Sequence, residues 1–507
     1  MAKEKPNIIL ILTDDLGYGD LSCFNPESKI RTEHIDAVAA GGLRNTDCHA
    51  SSALCTPSRY ALLTGRYNWR SRLKSGVLPG QSSPLIEEGR ETIGTFLKKQ
   101  GYRTACVGKW HLGMNWTVKD GYTLPSTYRD PNGDQDKCAA GIDFTAPIAD
   151  GPNTRGFDYF FGLPASLDQP PFVYIENDHV LTPPDHMTGV RRLDRVGPTQ
   201  QTEVEYGPAA PDYDPAKVVP DMDAKVLSLV DEYAGKDQPF FIYYPTPAVH
   251  GPLLPAPEYQ GKSGIGRYGD FVLQVDGFVG KLDEKLREKG IAKDTILIFT
   301  SDNGCSGIAD FPTLKGLGHN PSFIYRGKKG DIWEGGHRIP FIVRWPGHVP
   351  AGVERSQMMC LTDVFATIAE ITGFTYGDDA GEDSFSALSI WQGGTEPIRE
   401  DMIHHSVFNY SLRKGNWKLE FCPGSGGMGP DAKVPAGGIY GDDTPYQLYD
   451  LSQDIREQKN LYGLCPEIEK ELTERAAAYI KNGRTTPGEP QKNTESADWP
   501  GLEWLPR

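Results

Sequence analysis

Short, continuous apolar runs recur along the chain and limit the folds it can adopt. The runs are residues 7–13 (NIILILT), Pro239–Thr246, Thr295–Ser301 and Phe341–Trp345. Runs of this length without polar alternation are typical of strands that are buried on both faces of a sheet. Amphipathic helices are predicted between them, with one apolar face each in segments 222–233 and 272–286. Buried strands alternating with helices predict an α/β fold in which helices sandwich a large sheet of mostly parallel or mixed strands.

The chain changes character after about residue 400. Residues 404–421 (HHSVFNYSLRKGNWKLEF) and Tyr446–Asp450 have the pattern of short strands separated by turns. A helix with one apolar stripe is predicted over Pro466–Asn482. We therefore predict a main domain over residues 1–400 and a smaller C-terminal α+β domain with an extended tail over residues 401–507.

Residues 115–215 interrupt the pattern of strands and helices. They are rich in Pro, Gly, Asp and Asn, as in DPNGDQDKCAAGIDF and GPNTRGFDYFFGLPASLDQPPF. Loops this long inside a compact domain are usually functional or disordered. The aromatic residues of this segment favour the interpretation that its loops are packed and functional. These residues are Phe157, Tyr159, Phe160, Phe161, Phe172 and Tyr174.

The charge and the apolar content argue against two classes of protein. The 507 residues include 52 basic and 68 acidic ones, a formal net charge of −16, and no Lys/Arg-rich run of the kind that nucleic-acid-binding proteins carry. No apolar run approaches the ~18 residues of a membrane span. An acidic protein can still bind an anionic substrate, because salt screens its global field within about 10 Å while a local cationic pocket persists. We expect neither nucleic-acid binding nor a membrane span.

Acidic and amide side chains follow two of the buried runs. Asp14 and Asp15 come directly after the first run, and Asp302 and Asn303 come directly after the third. In an open α/β sheet, ligands bind beyond the carboxyl ends of the strands. An all-oxygen cluster there suits a hard divalent cation, Ca²⁺ or Mg²⁺. The alternative is that both pairs are turn formers or helix caps.

The segment CTPSRYALLTGR at residues 55–66 predicts a cysteine at the start of a helix. Pro57 is favoured in the first helical turn, where its missing N–H would have no intrahelical partner in any case. Cys55 then lies at the positive end of the helix dipole, and Arg59 follows about one turn later. The alternative is a small buried cysteine beside a capped helix.

Three motifs follow one another along the chain. The first is Cys55-Thr56-Pro57-Ser58-Arg59 with Leu63-Thr64-Gly65-Arg66, the second is Gly101–Thr104 with Val107–Gly113, and the third is Gly327–Arg338 (GKKGDIWEGGHR). These motifs resemble the signatures of the type I, formylglycine-dependent sulfatases. Together with the strand-end pairs they span residues 14–338, about two-thirds of the chain. The resemblance implies an alkaline-phosphatase-like fold and a sulfuric ester hydrolase.

The resemblance also implies a role for each candidate site residue. Cys55 would be oxidised to formylglycine by a maturing enzyme, of either the formylglycine-generating or the anaerobic type. The metal would be Ca²⁺, with Mg²⁺ as the alternative, and its ligands would be Asp14, Asp15, residue 55, Asp302 and Asn303. The sulfate pocket would be lined by Arg59, Lys109, His111, His250 and one lysine of the pair Lys328–Lys329. Lys329 is preferred because it directly precedes Gly330, as the family lysine does.

The implied chemistry explains these residue types. A hydrated formylglycine carries two hydroxyl groups on one carbon, and one attacks sulfur, activated by the metal and by a carboxylate such as Asp302. His250 is expected to protonate the leaving alcohol, and His111 is expected to accept a proton from the second hydroxyl as sulfate departs. Three carboxylates and a divalent ion leave a charge of −1. Three cations reverse it, and they are Arg59, Lys109 and Lys329.

The resemblance implies removal of sulfate from an aryl or a sugar ester. The aromatic and acidic loops favour a sulfated oligo- or polysaccharide, because such side chains suit sugar faces and hydroxyl groups. His404, His405 and Arg413 either extend the pocket or are ordinary strand residues, which we prefer. The alternatives are a phosphate mono- or diesterase on the same fold and an unmatured protein that binds sulfated glycans without cleaving them. The family is commonly exported, which favours a periplasmic or secreted protein, although MAKEKPN has no apolar signal core.

Overall fold

A large mixed sheet lies at the centre of the computed structural model, which describes residues 5–126, 141–190, 202–429, 432, 444–494 and 501–505. The strands up to residue 360 are β1 (Asn7–Thr13), β2 (Leu43–His49), β3 (Arg103–Lys109), β4 (Tyr159–Leu163), β5 (Ile175–Glu176), β6 (His179–Val180), β7 (His186–Thr188), β8 (Gly207–Ala209), β9 (Phe240–Pro245), β10 (Thr295–Ser301), β11 (Arg338–Arg344), β12 (Val353–Arg355) and β13 (Met359–Cys360). The spatial order in the large sheet is β12-β2-β11-β10-β1-β9-β3-β4-β5-β6, with β13 also paired to β2. Strands β7 and β8 pair separately.

Strand β1 lies inside the sheet, where it pairs in parallel with β10 on one side and β9 on the other. All seven of its residues are buried. Ile8, Leu10 and Leu12 pack into one apolar core, and Ile9 and Ile11 pack into a second core on the opposite face. The prediction of a strand buried on both faces is confirmed here.

Strand β11 departs from the parallel direction. The apolar run expected at residues 341–345 belongs to a strand that begins at Arg338, ends at Arg344 and pairs antiparallel with both β10 and β2. Burial on both faces depends on the helices that cover a sheet, so a continuous apolar run does not specify the direction of its strand.

Helices cover both faces of the sheet. In chain order they are α1 (Glu33–Ala40), α2 (Cys55–Thr64), α3 (Ile93–Lys99), α4 (Val218–Tyr233), α5 (Arg267–Glu288), α6 (Phe311–Gly316), α7 (Glu334–His337), α8 (Asp363–Thr372), α9 (Leu388–Trp391) and α10 (Pro466–Asn482). Helices α2, α3 and α8 pack into the core of Ile8, and α1, α4 and α5 pack into the core of Ile9. The amphipathic segments 222–233 and 272–286 lie within α4 and α5, as predicted.

A second, antiparallel sheet follows residue 400. Its strands are β14 (Asp401–His405), β15 (Tyr410–Lys414), β16 (Trp417–Glu420) and β17 (Gln447–Asp450), paired in that order. Helix α10 packs Leu472, Ala476 and Ile480 into the core of this region, and its bounds are those predicted. The smaller region of strands and one helix predicted near the C-terminus is confirmed, and its strands form a four-stranded antiparallel sheet.

Strand β14 is bonded to the segment that leads into α2. The His405 N–H donates to the Ser51 carbonyl over 3.1 Å, and the Ala53 N–H donates to the His405 carbonyl over 2.8 Å. The small sheet therefore supports the backbone just before Cys55.

Buried ion pairs also join the two sheets. Asp47 on β2 lies 2.8 Å from Arg338 at the start of β11, and it accepts hydrogen bonds of 2.7 and 2.8 Å from Arg413 on β15. Burial raises the pKa of Asp47, but the two guanidinium groups lower it by more, so this pKa lies well below its usual value. Asp47 is therefore ionised and compensates two buried cations.

The long segment at residues 115–215 is only partly covered, because residues 127–140 and 191–201 lie outside the described residues. The expectation of long loops is only partly right, because strands β4 to β8 lie within this segment. The expectation that it is packed is met where the segment is described, since Phe157, Phe160 and Phe172 are at most 1% exposed. None of the helices in the described ranges is both long and apolar enough to cross a membrane.

Asp47→Ala is expected to destabilise the fold strongly, because the buried Arg413 loses its carboxylate partner and Arg338 keeps only Glu334. Breaking a buried ion pair by removing one partner costs about 3–5 kcal/mol. The control is Glu354→Ala, which removes an exposed ion pair with Arg44. The Glu354 side chain is 53% exposed and the Arg44 side chain is 37% exposed. Such a pair contributes about 0–1 kcal/mol to the free energy of unfolding. Urea unfolding of the wild type and both variants measures the difference. Similar midpoints for the two variants would contradict this view of the contact.

Candidate active site

The carboxyl ends of β1 and β10 bring four candidate ligands together. The strands are parallel and in register, with Thr13 opposite Ser301, so the residues that follow them emerge side by side. The Asp15 N–H donates to Asp302 Oδ1 over 3.2 Å, and Asn303 Nδ2 donates to Asp15 Oδ1 over 2.7 Å. All four side chains are fully buried, and they are Asp14, Asp15, Asp302 and Asn303.

Two oxygen atoms of this cluster have no hydrogen-bond partner among the described residues. They are Asp14 Oδ1 and Asn303 Oδ1. Buried polar atoms are nearly always paired, and carboxylate and amide oxygens with open lone pairs suit a hard divalent cation. Carboxylate oxygens of Asp14 and Asp302 also lie within 4.8 Å of each other and of Cys55 Sγ. The residues present therefore fit a metal ion between the strand ends and residue 55.

Cys55 is the first residue of α2, and its sulfur belongs to this cluster. Leu54 is extended, the helix begins at Cys55, and Pro57 lies inside the first turn as predicted. Cys55 is only 2% exposed. Burial raises the pKa of its thiol above the usual 9.0, against the opposing attraction of Lys109 and Lys329. An unmodified Cys55 is thus a protonated thiol at neutral pH, not a reactive thiolate.

Arg59, one helical turn beyond Cys55, is held by a carboxylate of the cluster. Its Nε and Nη2 donate to Asp302 Oδ2 over 3.0 and 2.7 Å, and its Nη1 donates to the Lys109 carbonyl over 3.0 Å. Burial lowers the pKa of this guanidinium, but Asp302 and Asp14 raise it by more, so the group stays charged. The fork of Arg59 fixes the position of Asp302.

Two lysines compensate the aspartates after β1. Lys109 Nζ lies 2.6 Å from Asp14 Oδ2, and Lys329 Nζ lies 2.6 Å from Asp15 Oδ1. Burial raises the pKa of Asp14, but the surrounding cations, Lys109 foremost, lower it to well below its usual value. Burial and the charge of Asp14 raise the pKa of Asp302 to about 6. A bound cation would stabilise the ionised form of Asp302.

His111 is a buried, neutral imidazole. Burial lowers its pKa well below 6.5, and the positive charges of Lys109 and Arg59 lower it further. Its Nε2 donates to the Leu78 carbonyl over 2.8 Å. The lone pair therefore lies on Nδ1, which has no hydrogen-bond partner in the part of the chain that the structure describes. This nitrogen can accept a proton.

His250 faces both the aspartate cluster and a cavity. Its Nδ1 donates to the Gly251 carbonyl over 2.7 Å. Its Nε2 lies 3.7 Å from Asp15 Oδ2, and its Nδ1 lies 3.7 Å from Asp168 Oδ1. The ring is oriented by the backbone through Nδ1, so Nε2 is the nitrogen that can exchange a proton with a bound molecule.

A cavity of about 960 Å³ opens onto the cluster. Cys55, His250 and Lys329 lie in its wall, whereas Arg59 and Lys109 are fully buried behind them. No sequence pattern predicted the rest of the wall, which includes Ser166, Asp168, Gln169, Glu205, Val407 and Met428. The first four belong to the long segment that was expected to be functional, but no local spacing marks them individually.

His404, His405 and Arg413 do not belong to the cavity wall. Both histidines are fully buried, and His404 stacks on His337 with ring centroids 3.8 Å apart and an interplanar angle of 14°. Nearly parallel stacked rings cannot direct their in-plane lone pairs at one metal ion. Arg413 pairs with Asp47. All three lie on strands of the second sheet, His404 and His405 on β14 and Arg413 on β15, which agrees with the preferred interpretation that they are ordinary strand residues.

Comparisons with known proteins agree with this architecture. A sequence profile described as Sulfatase matches residues 6–374. An N-acetylgalactosamine-6-O-sulfatase of Bacteroides thetaiotaomicron is 36% identical over 93% of this chain and 92% of the relative, and arylsulfatase A of Homo sapiens is 31% identical over 90% and 83%. A solved structure titled for the metabolism of multiple glycosaminoglycans by Bacteroides thetaiotaomicron superimposes with a TM-score of 0.80 and 33% identity, covering 94% of this chain and 99% of that one. The profile spans all three motifs and both strand-end pairs, and the chain therefore belongs to the sulfatase family.

Proposed function

We propose that this sulfatase removes sulfate from a sulfated carbohydrate, using a formylglycine formed from Cys55 and a bound Ca²⁺ ion. One observation carries the proposal. Asp14 Oδ1 and Asn303 Oδ1 are buried without hydrogen-bond partners among the described residues, in the cluster that contains Cys55 and onto which a cavity of sugar-accommodating size opens. A purely structural cysteine would need neither open oxygen atoms nor compensating cations around it.

The metal is proposed to be held by Asp14, Asp15, Asp302, Asn303 and residue 55. When bound, the ion supplies positive charge that polarises a sulfate oxygen and favours ionisation of a hydroxyl at residue 55. Ca²⁺ is preferred to Mg²⁺ because the site offers several protein oxygens, whereas Mg²⁺ usually retains waters and uses one or two carboxylates.

Conversion of Cys55 supplies a nucleophile that the buried thiol lacks. The thiol stays protonated because burial raises its pKa. A hydrated aldehyde offers one hydroxyl to bond to sulfur and a second whose deprotonation releases sulfate, so water need not attack sulfur. The conversion requires a maturing enzyme, of the formylglycine-generating or the anaerobic type.

His250 and His111 are proposed to move the two protons. His250, at the cavity wall, donates from Nε2 to the leaving alcohol, while the Gly251 carbonyl holds its Nδ1. His111 accepts the proton of the second hydroxyl at residue 55 on Nδ1, the nitrogen left open when Nε2 donates to Leu78.

Three cations of the cluster are proposed to stabilise charge on the sulfate group. They are Arg59, Lys109 and Lys329, each already fixed by a carboxylate. Because they are oriented before the substrate arrives, they need not reorganise during the reaction, and losing one such group typically costs about 10²–10³ in rate.

The carbohydrate preference rests on the cavity and on the relatives. The cavity wall carries hydroxyl, amide and carboxylate groups that can bind sugar hydroxyls, namely Ser166, Gln169, Asp168 and Glu205. The relative named N-acetylgalactosamine-6-O-sulfatase is also more similar in sequence than arylsulfatase A. By the family resemblance, we also propose a periplasmic or secreted location.

The matured protein is expected to release sulfate from one or more members of a panel of defined sulfated saccharides. It is expected to release phosphate from the matched phosphate esters far more slowly. Cys55→Ala and Cys55→Ser are expected to lose sulfate turnover while keeping the thermal midpoint of the wild type. Neither side chain has the second hydroxyl group whose deprotonation would release the sulfate. Ion chromatography of released sulfate and phosphate measures this. Sustained turnover by the serine variant, or phosphate released faster than sulfate, would contradict the proposal.

The peptide that contains residue 55 is the control for this experiment. In an active preparation it should have lost one sulfur and two hydrogens, gained one oxygen, and become reactive with a carbonyl probe. An active preparation whose residue 55 is wholly unmodified would rule out the formylglycine. Rapid turnover of small aryl sulfates without activity on any saccharide would reverse the carbohydrate preference.

His250→Gln is expected to slow turnover of sugar sulfates by about 10²–10⁴, the usual contribution of a general acid. Turnover of nitrophenyl sulfate should fall far less, because nitrophenolate leaves without a proton. The matched control is His179→Gln, which changes a histidine with a 58% exposed side chain. The measurement is kcat on both substrates, and equal losses on the two would show that His250 does not protonate the leaving group.

A further inference from the structure

Lys328 is a cation of the cavity wall that the proposed mechanism does not use. Asp331 fixes its backbone, because the Lys328 N–H donates to Asp331 Oδ2 over 3.0 Å and the Asp331 N–H donates to the Lys328 carbonyl over 2.9 Å. Its side chain passes Gly307, where an added Cβ would stand 3.5 Å from Lys328 Cε. The backbone is therefore held in place while the side chain borders the cavity.

No carboxylate in the described ranges forms an ion pair with Lys328. Its neighbour Lys329 lies 2.6 Å from Asp15 Oδ1, but Lys328 Nζ forms no ion pair or side-chain hydrogen bond anywhere in the described ranges. The described carboxylates of the cavity wall all lie more than 4.0 Å, the ion-pair distance, from Lys328 Nζ. These carboxylates are Asp168, Glu205 and Asp331. A cation left open in a partly enclosed cavity attracts an anionic group of a ligand.

An apolar surface lies in the wall of the same cavity as this cation. Val407 and Met428 lie over Gly330, where an added Cβ would stand 3.4 Å from Met428 Cε and 3.7 Å from Val407 Cγ2. Met428 is 65% exposed, which is unusual for a large apolar side chain. A flexible methionine exposed at the edge of a cavity is typical of surfaces that adapt to a ligand.

We infer that Lys328, Val407 and Met428 form a second subsite, which binds a further anionic group on the same substrate next to the sulfate that is cleaved. Lys328 pairs with that group, and the two apolar side chains contact the carbon face of the sugar that carries it. The group is a carboxylate of a uronic acid or a second sulfate ester. This inference rests on the proposed function and adds that the carbohydrate is acidic beyond its scissile sulfate.

The position of the subsite follows from the chain itself. The Cα atoms of Lys328 and Lys329 are about 3.8 Å apart across one peptide bond, yet Lys329 turns to Asp15 while Lys328 passes Gly307. The two lysines thus serve neighbouring but separate anions. Lys328 remains outside the reacting centre, so its loss should weaken substrate binding more than it slows the chemical step.

The experiment compares two matched substrate pairs at low ionic strength. In the first, a sulfated disaccharide with an adjacent uronate is compared with its carboxyl-reduced, neutral form. In the second, a disulfated saccharide is compared with its monosulfated form. The wild type is expected to show a kcat/KM about two- to fivefold higher for the more anionic member of at least one pair, the size of a partly exposed ion pair. Salt should reduce this advantage.

Variants identify the residue that is responsible. Lys328→Gln should abolish the advantage by raising KM for the more anionic substrate, and Lys328→Glu should reverse the advantage. The control is Lys293→Gln, which should retain the advantage. Lys293 is exposed and precedes β10, at the end of that strand opposite to the site. If only the first pair shows the advantage, the group bound by the subsite is the carboxylate. If only the second pair shows it, the group is the second sulfate. The inference is overturned if neither pair differs, or if Lys328→Gln keeps the wild-type ratio. If the wild type releases sulfate from no saccharide, the proposed function itself fails.

Discussion

Mutual compensation of buried charges holds the site together at the ends of β1 and β10. Arg59, Lys109 and Lys329 each contact one of the three aspartates there, at 2.6 or 2.7 Å. Charges this deeply buried are tolerated only when they are paired and hydrogen-bonded. The cations come from separate parts of the chain, namely α2, β3 and the segment 327–338, so these parts must meet for the buried carboxylates to be paired.

The backbone around residue 55 links these parts to the C-terminal sheet. Gly330 donates its N–H to the Ala53 carbonyl over 2.9 Å, and His405 exchanges hydrogen bonds with Ser51 and Ala53 on the same segment. The chain that leads into α2 is therefore bonded to both the lysine-bearing motif and β14. The C-terminal region has two roles here, since it supports the residue 55 segment and also contributes part of the cavity wall.

The interior of the sheet was predictable from the sequence, whereas the cavity wall was not. The bounds of β1 and β10 match their apolar runs, and the convergence of Asp14 with Asp302 follows from the parallel pairing of those strands. The assignment of Cys55 came from a motif resemblance, since an isolated cysteine before a helix is usually structural. Asp168 and Met428 approach the site from distant loops, and such convergence depends on tertiary packing that no local spacing encodes. The direction of β11 was equally hidden, because burial of an apolar run is the same for both directions.

The most direct measurement is a high-resolution crystal structure of the matured protein in the presence of Ca²⁺. We expect one ion coordinated by Asp14 Oδ1 and Asn303 Oδ1 at about 2.3–2.6 Å, with an oxygen of residue 55 in the same coordination sphere. Ordered waters hydrogen-bonded to these two oxygens with no ion between them, or an ion bound away from residue 55, would contradict the central claim.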